Sequence, residues 1–170
     1  MKRNKIALII MGVLAVSALA STLVLAACSG GTASGEPKSP VAPTWITPEV
    51  SAGTVSIPFD LVQSKRNTHF KVETEKGTAY YMAYVYSGKT HVRADVCVPC
   101  RSISFTLDKN LLVCDSCGTT FNASDGTGVA GACVRYPKAA VPFETVSGKM
   151  VMKQADLLKA FEDTLQQGLP

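Results

Sequence analysis

Two cysteine pairs constrain this chain more than anything else in it: Cys97-Val-Pro-Cys100 and, after thirteen residues, Cys114-Asp-Ser-Cys117-Gly118. Two residues between cysteines let one tight turn aim both sulfurs at a single centre, and two such turns supply the four thiolates that zinc or an iron–sulfur core takes. The intervening segment explains how the pairs can meet. Ser102, Ser104 and Thr106 alternate with Ile103, Phe105 and Leu107; Asp108-Lys109-Asn110 is turn chemistry; Leu111-Leu112-Val113 runs back. That pattern predicts a β-hairpin with both pairs side by side at its open end. Gly118 directly after Cys117 suits a positive φ, whereas Arg101 holds the matching place after Cys100. Four cysteines also allow two disulfides, and a CxxC alone can be a redox-active thiol pair. The thiol pair needs a thioredoxin-like βαβ context that is not visible here, and a bridge closed inside a CxxC would restrain the unfolded chain very little. The residues therefore favour a four-thiolate site, with zinc and iron–sulfur both open.

Much of the 46% hydrophobic content lies at the front. Lys2, Arg3 and Lys5 precede 22 uncharged residues from Ile6 to Ala27. A basic start, an apolar run and small residues at its end describe an export signal. The run is also long enough to span a bilayer as an uncleaved signal anchor. Its ending, Leu25-Ala26-Ala27-Cys28, resembles the lipobox of bacterial lipoproteins. That resemblance implies a signal peptide over 1–27 and a lipidated Cys28 as mature N-terminus, anchored outside the cytoplasm by acyl chains such as palmitate. Without Lys2, Arg3 and Lys5, 14 of the 17 basic residues remain against 13 acidic ones, a net charge of +1. No nucleic-acid footprint survives that balance.

Residues 28–53 read as a tether rich in Gly, Pro and Ser, extended and poor in apolar surface, with Trp45 and Ile46 able to dock on the folded domain. Residues 54–170 read as one small domain of mainly β (α+β) class. Val55 to Leu61 alternates as a strand, edge-placed because of Pro58. Phe70 and Val72 mark a second strand, and Ala79–Tyr86, Ser87-Gly88 and Thr90–Val96 a hairpin leading into Cys97. Val141–Val146, Ser147-Gly148 and Met150–Met152 form a last hairpin. One C-terminal helix is expected from about Gln154 to Gln166, with Leu157, Leu158, Phe161 and Leu165 as its apolar stripe.

Gly126-Thr-Gly128-Val-Ala-Gly131 matches G-x-G-x-x-G, but it neither follows a parallel strand nor opens a helix. Its glycines instead suit a tight return that carries Cys133 towards the cluster, as an extra thiol, a substitute ligand or a free buried cysteine. His69 and His91 lie outside the CxxC pairs, in strand positions expected to face solvent. The absence of CxxCH excludes covalent haem, and the all-cysteine loops exclude a Rieske pair. No catalytic constellation of nucleophile, base or paired carboxylates is present, so no enzyme activity is expected. Four thiolates around a divalent ion, or around an oxidised cluster core, sum to about −2, which Arg93, Arg101, Lys109, Arg135 and Lys138 are placed in sequence to offset.

The segment from Val55 onwards resembles the FtrD-like membrane iron–sulfur proteins. The resemblance rests on Val55–Leu61 and Thr68–Val72 as a β lead-in, Arg93-Ala-Asp95 before the first CxxC, Cys114-Asp-Ser-Cys117-Gly118, and Gly131-Ala-Cys133 ahead of Pro137 and Pro142-Phe143. The chain departs from the pattern in having Gly-Ala-Cys for Gly-Gly-Cys, and a lipobox in place of the multi-span membrane part of some members. The resemblance implies an iron–sulfur electron carrier with Cys97, Cys100, Cys114 and Cys117 as ligands. It further implies a membrane redox or metal-transport partner, in some members linked to iron uptake; zinc is the alternative cofactor, in a ribbon-like binding or scaffold module.

Overall fold

The computed structural model describes residues 37–168. Its strands are β1 (Thr44–Trp45), β2 (Glu49–Ser51), β3 (Thr54–Pro58), β4 (Asn67–Thr74), β5 (Gly77–Tyr86), β6 (Lys89–Ala94), β7 (Phe105–Asp108), β8 (Leu111–Cys114), β9 (Thr120–Asn122), β10 (Gly128–Ala130), β11 (Glu144–Val146) and β12 (Lys149–Lys153). The helices are α1 (Phe59–Lys65) and α2 (Gln154–Leu165). They build three four-stranded sheets, in the orders β1-β4-β5-β6, β10-β9-β8-β7 and β11-β12-β3-β2. The β-rich domain with one C-terminal helix is the architecture that the sequence predicts.

Strand β5 is the common wall. Its residues alternate across the pleat. Ala79, Tyr81, Ala83 and Val85 enter one core with Ile57, Phe70, Met150, Met152 and the α2 residues Leu157 and Ala160. Met82 and Tyr84 enter a second core with Phe105, Leu107, Leu112, Phe121 and three cysteines, Cys97, Cys114 and Cys133. The small sheet that carries the cysteines is thus pressed against the central sheet by aromatic and aliphatic burial, each large side chain contributing about 1.5–3 kcal/mol.

Turn chemistry sets the registers. Ala52-Gly53, Ser87-Gly88 and Ser147-Gly148 each place two successive residues at positive φ, the backbone twist that two-residue hairpins need. The hairpins at 86–89 and 146–149 fall where the sequence puts them.

Three expectations are corrected. The strand read through Leu61 stops at Pro58, and Phe59 begins α1, its N–H donating to Gly148 O at 2.9 Å. Strand β3 lies inside its sheet, although β2 pairs only as far as Ser56, so Pro58 has a neighbour on one side alone. The ordered domain also begins upstream of Thr54: Val41 bridges to Leu107, β1 pairs in parallel with β4, and β2 pairs with β3. Proline fits there because these short edge pieces need few donors. The proposed signal and Cys28 lie outside the described residues.

Candidate metal centre

The two cysteine turns are built alike. Cys97 O accepts from Arg101 N–H at 2.6 Å and Cys97 N–H donates to Ser102 O at 2.7 Å; Cys114 O accepts from Gly118 N–H and Cys114 N–H donates to Thr119 O, both at 2.9 Å. Each turn ends on a left-handed residue, Arg101 at φ 60° and Gly118 at φ 69°. Strands β7 and β8 pair Phe105 with Cys114, which sets the second turn beside the first at the hairpin's open end.

The sulfurs converge. Cys97 Sγ is 3.7 Å from Cys117 Sγ, Cys100 Sγ is 3.7 Å from Cys114 Sγ, and Cys117 Sγ is 3.9 Å from Cys133 Sγ. A tetrahedral centre with metal–sulfur bonds of about 2.3 Å has edges of about 3.8 Å. One set of four sulfurs, from Cys97, Cys100, Cys117 and Cys133, lies within 4.8 Å of one another. Cys114 falls outside that set while touching Cys100. All five cysteines among the described residues are free thiols.

Cys133 arrives on the glycine-rich return. A Cβ at Gly128 would stand 2.2 Å from Val134 O, and one at Gly131, whose φ is +113°, would stand 2.6 Å from Thr119 Oγ1. Only glycine lets the loop lie so close. Thr119 Oγ1 then accepts from Cys133 N–H at 3.3 Å and lies 3.2 Å from Cys117 Sγ.

Charge around the sulfurs is unequal. Of the five basic residues picked out by sequence, Arg101, Lys109 and Arg135 are exposed, Lys109 in the turn at the far end of the β7–β8 hairpin. Lys138 is 1% exposed and Arg93 5%. Lys138 Nζ donates to Val96 O at 2.7 Å, next to Cys97, and stands 4.3 Å from the Phe121 ring centroid. Burial lowers its pKa to about 8, against the pull of Cys97, Cys133, Cys114 and Asp95. Arg93 donates to Tyr84 Oη, Lys138 O and Ser124 O, each at 2.8 Å. Among the described residues, two buried cations thus face one buried carboxylate, Asp95. The interior is short of negative charge, and an anionic thiolate centre supplies it.

The histidines need correction as well. His69 is fully buried rather than solvated, with Nδ1 2.6 Å from Asp95 Oδ2 and Nε2 3.0 Å from Asn67 Oδ1. Burial, opposed by His69, raises the pKa of Asp95. His91 is half-buried and stacks on Tyr84. The thiols differ too. Burial pushes Cys97 far up and Cys100 up to about 11. At Cys117 slight burial pushes up most strongly, but Thr119 and the neighbouring thiols together bring it down to about 6.

Fold and site together define a small β-rich domain that presents a cysteine-only metal centre. The sequence matches the family described as membrane iron–sulfur containing protein FtrD-like over residues 62–163, and the chain belongs to that family. The donor set and the buried cations fit the iron–sulfur cofactor of the family name, with ligands drawn from the five cysteines. In fold, the chain is similar to one from the complex of reduced oxygenase and oxidized ferredoxin in carbazole 1,9a-dioxygenase, at TM-score 0.50 and 16% identity over 71% of this chain and 100% of that one. Sphingomonas yanoikuyae B1 ferredoxin is 20% identical over 49% of this chain and 84% of its own, at TM-score 0.41. No curated protein matches the sequence. Among the described residues, no helix is long and apolar enough to cross a membrane.

Proposed function

We propose that the protein is an electron carrier held at the outer face of the cell membrane through a lipidated Cys28, with an iron–sulfur centre on Cys97, Cys100, Cys114 and Cys117. The convergence of thiol sulfurs at distances of 3.7–3.9 Å carries this reading. The family match supports iron over zinc. When bound, such a centre takes up and gives back a single electron, at a potential that nearby charge and hydrogen bonds adjust. The chain's part is to hold the sulfurs, to place the Lys138 ammonium near them, and to leave Cys100 and Cys117 at the surface, where an electron can leave. The reading assigns the protein electron transfer rather than catalytic turnover. The similarity to a chain from an oxygenase–ferredoxin complex supports a protein redox partner. Iron transport is the process we assign to that partner. Protein purified without oxygen should contain iron and acid-labile sulfide, and its N-terminal peptide should begin at an acylated Cys28. Stoichiometric zinc without iron would reject the cofactor, and an intact Met1 would reject the anchor.

A further inference from the structure

We infer that Cys114 and Cys133 are alternative fourth ligands of one centre, whose other three sulfurs are Cys97, Cys100 and Cys117. The inference rests on the metal-site reading of the cysteine cluster. A cysteine-ligated centre takes four thiolates, and the fold brings five sulfurs to it. Cys114 meets Cys100 at 3.7 Å and Cys133 meets Cys117 at 3.9 Å. The four sulfurs that lie within 4.8 Å of one another include Cys133 and leave out the CxxC residue Cys114. Both side chains are almost fully buried, at 1% and 2% exposure, so the thiol not bound at a given moment stays beside the centre.

Cys133 is not there by accident of a loose loop. Gly128 packs against Val134, Gly131 packs against Thr119, and the Thr119 hydroxyl accepts the Cys133 N–H while touching Cys117. The same threonine therefore sets the position of one shared ligand and of the incoming one. With a metal bound, exchange would break a metal–sulfur bond to Cys114 as one to Cys133 forms, with the proton of the incoming thiol going to the outgoing thiolate and no electron moving. The centre would keep four thiolates throughout.

Cobalt(II), whose thiolate-to-metal absorption reports sulfur ligation whatever the native metal, is the probe. Metal-free wild type, Cys114→Ser, Cys133→Ser and the double variant are titrated with Co2+. Each single variant should bind one Co2+ with an undiminished thiolate band and less than tenfold weaker affinity. The double variant should bind at least a hundredfold more weakly. Loss in Cys114→Ser equal to the double variant would make Cys133 a bystander and overturn the inference; the converse result would do the same for Cys114. Wild type that binds no Co2+ would overturn the metal-site reading itself, a separate failure. A second measurement needs no variant: slow alkylation of the Co2+-loaded wild type, with peptide mapping, should label both Cys114 and Cys133. Label on one of them alone would contradict exchange.

Discussion

Lys138 is the residue whose burial has a consequence outside its own packing. An ammonium taken out of water costs several kcal/mol unless something negative answers it, and here the aromatic faces of Phe121 and Phe105 and the Val96 carbonyl answer only in part. Asp95 answers too, and a loaded thiolate centre would supply the rest. Lys138→Met should keep metal stoichiometry, weaken Co2+ or Zn2+ affinity by roughly tenfold, which corresponds to about 1.4 kcal/mol, and make the reduction potential more negative. An unchanged potential would show that Lys138 does not act on the centre. His91 gives a pH test away from the sulfurs. Burial, helped by Arg93, lowers its pKa from 6.5. The unfolded chain therefore binds more protons than the folded one just below pH 6.5, and stability falls as pH drops through that window. The denaturant midpoint should decrease between pH 7 and 5.5, and His91→Gln should flatten the decrease; an identical slope would exclude His91 as a source. Sequence places Lys138 among the basic residues that offset the thiolates, but its burial and the packing of His91 come only from the structure. A lysine and a histidine in alternating segments look solvated until the packing shows otherwise, which is why sequence alone points His69 and His91 to the surface.

Among the elements, the hairpins and the cysteine turns are legible because their determinants are local: glycine after a residue that tolerates positive φ, two residues between cysteines, and strict alternation in β7. The rest needs contacts between distant residues. The parallel pairing of β1 with β4 joins Thr44 to Thr68, and nothing in a proline-rich stretch announces such a partner. Helix α1 is seven residues long, too short for a helical period to outweigh the alternation of Val55 to Leu61. The glycine loop is legible as a return for Cys133, and a stability test separates its packed glycines from the open glycine of the second cysteine turn. Gly118→Ala meets nothing within 4 Å, so its cost comes from φ +69° alone, about 1 kcal/mol. Gly128→Ala drives a Cβ against Val134 backbone and should cost about 2–3 kcal/mol while moving Cys133. Equal costs in chemical denaturation would mean that the loop yields freely and does not fix the fifth sulfur.

At the scale of the whole molecule, three sheets share two cores across β5, and the metal centre sits on the small sheet where Cys97, Cys114 and Cys133 count among the core residues themselves. The proposed centre predicts that loading and folding are coupled, because Cys97, Cys114 and Cys133 also fill the second core. Cys100 and Cys117 are the exposed cysteines of the cluster, and on the proposed function they are where a partner would approach. The central claim is that these cysteines hold a redox-active iron–sulfur centre, and EPR-monitored redox titration of anaerobically purified protein tests it most directly. The account predicts one reversible one-electron transition with an iron–sulfur signal that vanishes in a variant lacking Cys97 and Cys117. A colourless, EPR-silent protein carrying one zinc, with no transition at any applied potential, would contradict it.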